Sequence, residues 1–369
     1  MADVTTAEHS PDRALRLRRI VPVVALMAIA PWAAEASWGG VTLDDYLLLT
    51  LVLAPLYGAA AVLIRETARR TGGGWPVIVL LATAFGFLQA GLVDQALFNT
   101  DFLDDTEFAG SAAAARATWV PGLGFSAQDA LGYVGGHIAL SICVPIAIVE
   151  SFLAPGRRLR PWLGRRGLLV VAVVYLLGSL LIFSEHLRSH DFLASPVQLG
   201  FAALTVLGLV GAAMLPRWRR TRPPRAARAP HPIWAGLVVA GASLGAPLHQ
   251  GWVGVAVAVA LIAVAATVIV GWSRRSGWGQ RHVLAAWAAK LIVAAATAYA
   301  IPSYDPTSLA EALVGDVAIT VVTLALVGGA WWRLRRRPEA PPAGPVPGVG
   351  RSPRGAEPDP PPVRAPGST

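Results

Sequence analysis

Apolar runs about as long as a bilayer is thick recur along this sequence, and no other feature constrains its fold so tightly. Crossing roughly 30 Å of hydrocarbon takes about 20 helical residues. Windows of that kind fall at 20–38, 45–64, 75–98, 128–153, 167–184, 197–215, 233–248, 252–272, 282–301 and 312–332. Hydrocarbon offers backbone amides no partner, so each run must satisfy its own hydrogen bonds as a helix. The sequence therefore predicts an all-α fold, a polytopic transmembrane bundle of about ten helices. The seventh window, PIWAGLVVAGASLGAPL, is the shortest and the richest in glycine, so it is the one that need not span. Composition agrees: 54% of residues are hydrophobic and 14% charged, too apolar a balance for a domain facing water on all sides.

The arginines set the threading. Of 31 basic residues, 28 lie in the N-terminal segment, LIRETARR, GRRLRPWLGRR, RWRRTRPPRAAR, SRRSGWGQR and the stretch from Arg333 onward, on alternate sides of successive windows. Lys and Arg are retained on the cytoplasmic side, so the pattern predicts an even number of crossings with both termini cytoplasmic. Arg116 and Arg188 fall on the other side, with most of the loop acids, and Lys290 falls inside a window. Trp38, Trp75, Trp218, Trp234, Trp252, Trp272, Trp331 and Trp332 lie near window ends, where an amphipathic ring sits at headgroup level. Three regions follow: a basic cytoplasmic segment at 1–19, a transmembrane domain at 20–332 with an external loop at 99–127, and a proline-rich cytoplasmic tail at 333–369. The tail has too little apolar surface to offset its ordering entropy and is expected to be disordered. The first window, with Ala34-Glu35-Ala36 at its end, also has the make-up of a cleavable signal peptide.

The formal charge of +9 comes in short clusters between apolar runs rather than on one polar surface, which argues against nucleic acid as a partner. The lipid bilayer is the partner this pattern implies, with anionic headgroups at the basic loops. The single cysteine, Cys143, excludes an intrachain disulfide and any multi-cysteine metal site. GLG and GYVGGH follow no strand and open no phosphate loop, so no cofactor site is read.

Polar groups inside the apolar windows are the candidates for chemistry, because an ionisable side chain at mid-bilayer costs roughly 2.5–3.5 kcal/mol on insertion scales. They are Glu35, Gln89, Asp94, His137, Lys290, Asp316, Thr320 and Thr323. At about 1.5 Å per residue, His137 lies about 13 Å from the external end of its helix and Lys290 about 12 Å from the cytoplasmic end. Glu35 and Asp316 lie about 7–8 Å from the external face. Asp316, Thr320 and Thr323 share one stripe of the last helix, and His137 pairs with Ser141 at helical spacing. Asp94, with Gln95 and Asn99, reads first as the point where the third helix leaves hydrocarbon, whereas Gln89 is deeper. Glu150 reads as half of an interfacial ion pair. Taken together, Glu35, His137, Lys290 and Asp316 read either as a polar pathway or as buried pairs that fix helix register.

Leu63 to Asn99, LIRETARRTGGGWPVIVLLATAFGFLQAGLVDQALFN, resembles a stretch shared by uncharacterised multi-pass inner-membrane proteins of high-GC bacteria. The resemblance implies a bacterial cytoplasmic membrane and no particular activity. Intramembrane CAAX-type proteases carry paired glutamates and a following arginine; Gln89 and Ala90 stand there instead, without the carboxylates that activate water beside a metal. Ten helices without a soluble domain read first as a transporter or permease for a small solute or proton. A structural or regulatory membrane protein is the alternative. A third reading is a membrane enzyme acting on a lipid-linked substrate through His137 and a carboxylate.

Overall fold

The computed structural model describes residues 11–219 and 225–336, and these are helical apart from two short strand pairs. Among them, nine helices are long and apolar enough to cross a membrane: α1 (Arg19–Ala36), α2 (Leu43–Thr71), α3 (Gly74–Val93), α4 (Ala127–Phe152), α5 (Arg165–His190), α6 (Pro196–Met214), α8 (Gly251–Ser273), α9 (Gln280–Ala298) and α10 (Leu309–Arg336). Between α6 and α8 lies α7 (Pro232–Leu248), the glycine-rich seventh window, which is too short to count with them. These lengths, and the leucine- and valine-rich outer faces of α5, α6 and α8, fit a membrane-embedded protein.

Helix extends past the apolar windows at both ends of the bundle. The helix that contains α1 starts at Pro11, within the basic segment at 1–19. Likewise α10 continues through Arg333 and Arg335 to Arg336, beyond the last apolar residue. Arginine is a good helix former, and positive charge at a helix C-terminus complements the macrodipole, so winding continues where hydrophobicity stops. The disorder expected of the remaining tail lies outside the described residues.

The bundle is layered around α1, α2, α3 and α4. Leu26, Leu56, Val62, Ile78, Phe85, Ile142 and Ile146 from these four helices form the main core. A second core joins α1 and α4 to α9 and α10 through Trp32, Val144, Ile148, Leu284, Leu291 and Leu334. Two close approaches set the spacing. A Cβ on Gly58 would come within 2.6 Å of the Met27 backbone, and one on Gly178 within 2.8 Å of Pro55. Small residues allow such backbone contact where lipid gives no hydrophobic drive for association.

Each of the first four helices contains one widened turn, in which the amide bonds five residues back instead of four. The segments are Trp32–Ala36, Ala54–Gly58, Gln89–Val93 and His137–Cys143. Ser37 N donates to Trp32 O at 3.1 Å and Asp94 N to Gln89 O at 3.0 Å in this pattern. Pro31, Pro55 and Pro145 stand beside or inside three of them, and a proline, having no N–H, leaves a carbonyl free to be taken by a later amide. Widened turns of this kind recur at functional sites.

At the arginine-rich end of the bundle a buried ionic network ties α2 to α4 and to the α4–α5 connection. Arg65 Nε donates to Glu150 Oε1 at 3.1 Å and its terminal nitrogens donate to Glu66 at 2.7 Å and to Arg158 O at 2.6 Å. Arg69 Nε adds a bond to the same Glu150 Oε1 at 2.9 Å. Glu66 accepts from the Trp162 and Leu163 amides at 2.8 and 3.2 Å, and the Arg65 guanidinium lies 3.6 Å over the Trp162 ring. Glu150 therefore does form an ion pair, and a fully buried one.

The connection after α3 begins buried, not wet. Gln95 Oε1 accepts from Ala194 N at 2.7 Å, and Leu97 and Phe98 pack against Ala194 and Ala202. A short helix at Ala109–Ala115 follows. VPGLGF then turns a small hairpin, Trp119–Val120 against Phe125–Ser126, with Gly122 and Gly124 at positive φ.

Candidate functional site

One polar side chain from each widened turn joins a common, partly accessible cluster, the chamber, at the end of the bundle opposite the arginine network. They are Glu35, Tyr57, Gln89 and His137. The Tyr57 hydroxyl donates to Glu35 Oε1 at 2.5 Å. Its ring lies 5.7 Å from the His137 ring and 6.1 Å from Phe85, and Phe85 stands edge-on to His137 at 5.8 Å. His137 Nδ1 is paired with Ser141 Oγ at 3.2 Å, one turn on.

Asp94 closes the set at the end of α3. Its Oδ2 accepts from Gln89 Nε2 at 3.0 Å and its Oδ1 from Ala96 N at 3.0 Å. Asp94 and Glu35 lie within electrostatic reach of one another. So do both acids and Tyr304, on the α9–α10 connection, with Tyr133 of α4 beside them. Burial, and after it the Glu35 carboxylate, pushes the Tyr304 phenol above its ordinary value.

Burial within the chamber is uneven. Tyr57 and Gln89 are buried, whereas Glu35, Asp94 and His137 keep part of their surface accessible. Glu35 Oε2 and His137 Nε2 make no hydrogen bond with the described residues and are not enclosed, while Gln89 Oε1 is enclosed and unpartnered. Trp38, Phe108 and Tyr304 pack over this end, with ring centroids 5.1–5.9 Å apart. Glu107 N donates to Tyr304 O at 3.2 Å and Tyr304 N to Gly40 O at 2.9 Å, which pins the loop to the helix ends beneath it.

The remaining sequence candidates lie apart. Asp316 is buried in a separate crevice with Tyr46, Thr42, Ser303 and Glu311, where the Tyr46 hydroxyl reaches Gly315 O at 3.4 Å. Thr320 pairs with the Tyr299 hydroxyl at 3.0 Å, and the Thr323 hydroxyl is buried without a partner. Lys290 is half-buried and forms no hydrogen bond or ion pair with a described residue. Glu35 and His137 thus meet through Tyr57, while nothing links Lys290 or Asp316 to them. Sequence reasoning missed Tyr57, Tyr133 and Tyr304, because a tyrosine in an apolar run or a loop carries no charge to mark it. The signal for Tyr57 was its place two residues after Pro55.

No family model, curated protein or solved structure matches this chain. Its chemistry is read from the chamber itself. Two acids, an imidazole and a tyrosine hydroxyl in a partly accessible, aromatic-walled space are equipped to bind a small polar ligand and to exchange protons with it.

Proposed function

We propose that the chain is a ten-helix protein of a bacterial cytoplasmic membrane, with both ends on the cytoplasmic side, that transports a small solute or ion. The chamber faces outward in this reading, and anionic headgroups gather at the basic connections. The arginine segregation supports the orientation, and the resemblance of residues 63–99 supports the bacterial membrane. Arg217 and Arg336 lying over Trp218 and Trp332 at 4.4 and 4.1 Å support an interfacial anchor at the arginine-rich end. The observation that carries transport is the convergence of four widened turns, each delivering one polar group, on one partly accessible chamber. Widened turns recur at functional sites, and many transporters bind substrate where their helices depart from regular winding.

Reconstitution in proteoliposomes tests it. Solute-driven proton flux, read with a trapped pH-sensitive dye, is expected to fall at least tenfold in Glu35→Gln and Asp94→Asn at unchanged protein abundance. Flux equal to wild type in both variants refutes the assignment. A second reading, a membrane enzyme, draws support from the accessible His137 Nε2 beside the Tyr57–Glu35 pair, an acid–base arrangement. It predicts that His137→Asn abolishes turnover of a lipid-linked substrate while leaving solute flux absent throughout.

A further inference from the structure

Two sets of acids inside the bundle are treated differently. At the arginine-rich end, Glu66 and Glu150 are each paired with guanidinium groups. In the chamber, Glu35 and Asp94 share a space with no such partner. Their hydrogen bonds come from Tyr57, Gln89 and the Ala96 amide, and the other groups within electrostatic reach are acidic or phenolic. The nearest arginine on the loop, Arg116, is engaged by Asp101 and Asp104. A carboxylate removed from water either takes up a proton or needs a compensating positive charge, and among the described residues no cationic side chain pairs with these two.

Hydrogen-bond capacity is unbalanced in the same sense. Gln89, 1% exposed, spends its amide N–H on Asp94 and leaves Oε1 buried and without a partner. Glu35 Oε2 is also open. Open acceptor positions at two acids, with no cationic side chain paired to them among the described residues, fit a ligand that brings N–H groups and positive charge together. The chamber's walls are rings: Tyr57, Phe85, Tyr133 and Tyr304, which favour a cation with apolar substituents through their π faces. Among the described residues no group of three or more His, Cys, Asp or Glu is placed to hold a metal ion. The geometry points to a protonated organic amine as the ligand of this chamber, with its ammonium on the accessible sides of Glu35 and Asp94 and its carbon chain against the tyrosines. This rests on the chamber being a binding site, as in the transport reading.

Butylammonium is a suitable probe, with butanol as its neutral isostere and sodium as the inorganic cation. Titrated into the purified full-length protein in detergent, butylammonium should raise the unfolding temperature saturably, and butanol and sodium should not. Glu35→Gln and Asp94→Asn should each weaken butylammonium at least tenfold. In the unmodified protein, butylammonium should shield Glu35 and Asp94 from dicyclohexylcarbodiimide, read by mass spectrometry, so the test survives variants that fail to fold. Absence of a saturable effect and of shielding overturns the inference, as does sodium reproducing both. Saturable binding without uptake of labelled butylammonium into proteoliposomes upholds the ligand and removes transport. Glu35-dependent flux of a neutral or anionic solute, with no butylammonium binding, upholds transport and removes the ligand.

Discussion

Replacing Glu150 by glutamine removes one charge and changes almost no volume, which isolates the ionic network from packing. Glu150 is fully buried and accepts three bonds, from Arg65 Nε at 3.1 Å and from two nitrogens of Arg69 at 2.9 and 2.5 Å. Arg65 would keep Glu66, the Arg158 carbonyl and the Trp162 face. Arg69 would keep no carboxylate, and its side chain is only 6% exposed. Breaking one side of a buried pair costs about 3–5 kcal/mol, and the surviving partners of Arg65 place this case near 3. About 3 kcal/mol is roughly two powers of ten in the unfolding equilibrium. Unfolding in mixed detergent micelles, followed by tryptophan emission, reads it directly, since Trp162 sits on the network. Adding Arg69→Leu should recover much of the loss, because removing both partners leaves no orphaned charge. A Glu150→Gln variant within about 1 kcal/mol of the parent, or a double variant whose loss is the sum of the singles, would refute this account.

Arg65→Lys should destabilise by about 2 kcal/mol or more in the same titration, since an ammonium cannot fork between Glu66, Glu150 and the Arg158 carbonyl while lying flat on Trp162. Gly58→Val should sharply lower the folded yield by driving its side chain into the Met27 backbone, whereas Gly110→Ala, with open space at its Cβ, should stay within about 0.5 kcal/mol of the parent. In a Cys143→Ala background, a membrane-impermeant maleimide applied outside whole cells should label Ser111→Cys and spare Ser273→Cys; the reverse result inverts the orientation. Butylammonium affinity should rise with pH, because the ligand competes with a proton on Glu35 or Asp94; Tyr57, Tyr133, His137 and Tyr304 are the other titratable groups bordering them. Affinity that is flat from pH 5 to 8 counts against that competition.

The spans were legible in the sequence because length and hydropathy are properties of single segments. The doubtful seventh window, PIWAGLVVAGASLGAPL, is the helix that proves short, for the same reason. Depth along a single helix could be counted from the sequence, and it marked His137 and Lys290 as deep and Glu35 and Asp316 as lying in the outer third. Azimuth could not. A depth along one helix does not say which neighbour a side chain faces, so Lys290 and Asp316 were grouped with residues they do not meet. The start of the loop misled for a related reason: Asp94, Gln95 and Asn99 end the α3 run, but protein rather than water surrounds Gln95 and Asn99. Glu150 was recognised as paired, yet its burial depended on Trp162 and Arg158 folding back over it, which no local pattern announces.

The extra residue in each widened turn has a consequence for winding phase. One residue more per turn swings everything beyond it by about 100° around the helix axis. The two halves of each of these four helices are thereby uncoupled in azimuth: one half can aim its apolar stripe at the core or lipid while the other aims at the chamber. Deleting one residue from such a segment would straighten the helix and turn the ligand-facing groups away together, leaving a bundle that packs at the arginine-rich end and has lost its chamber.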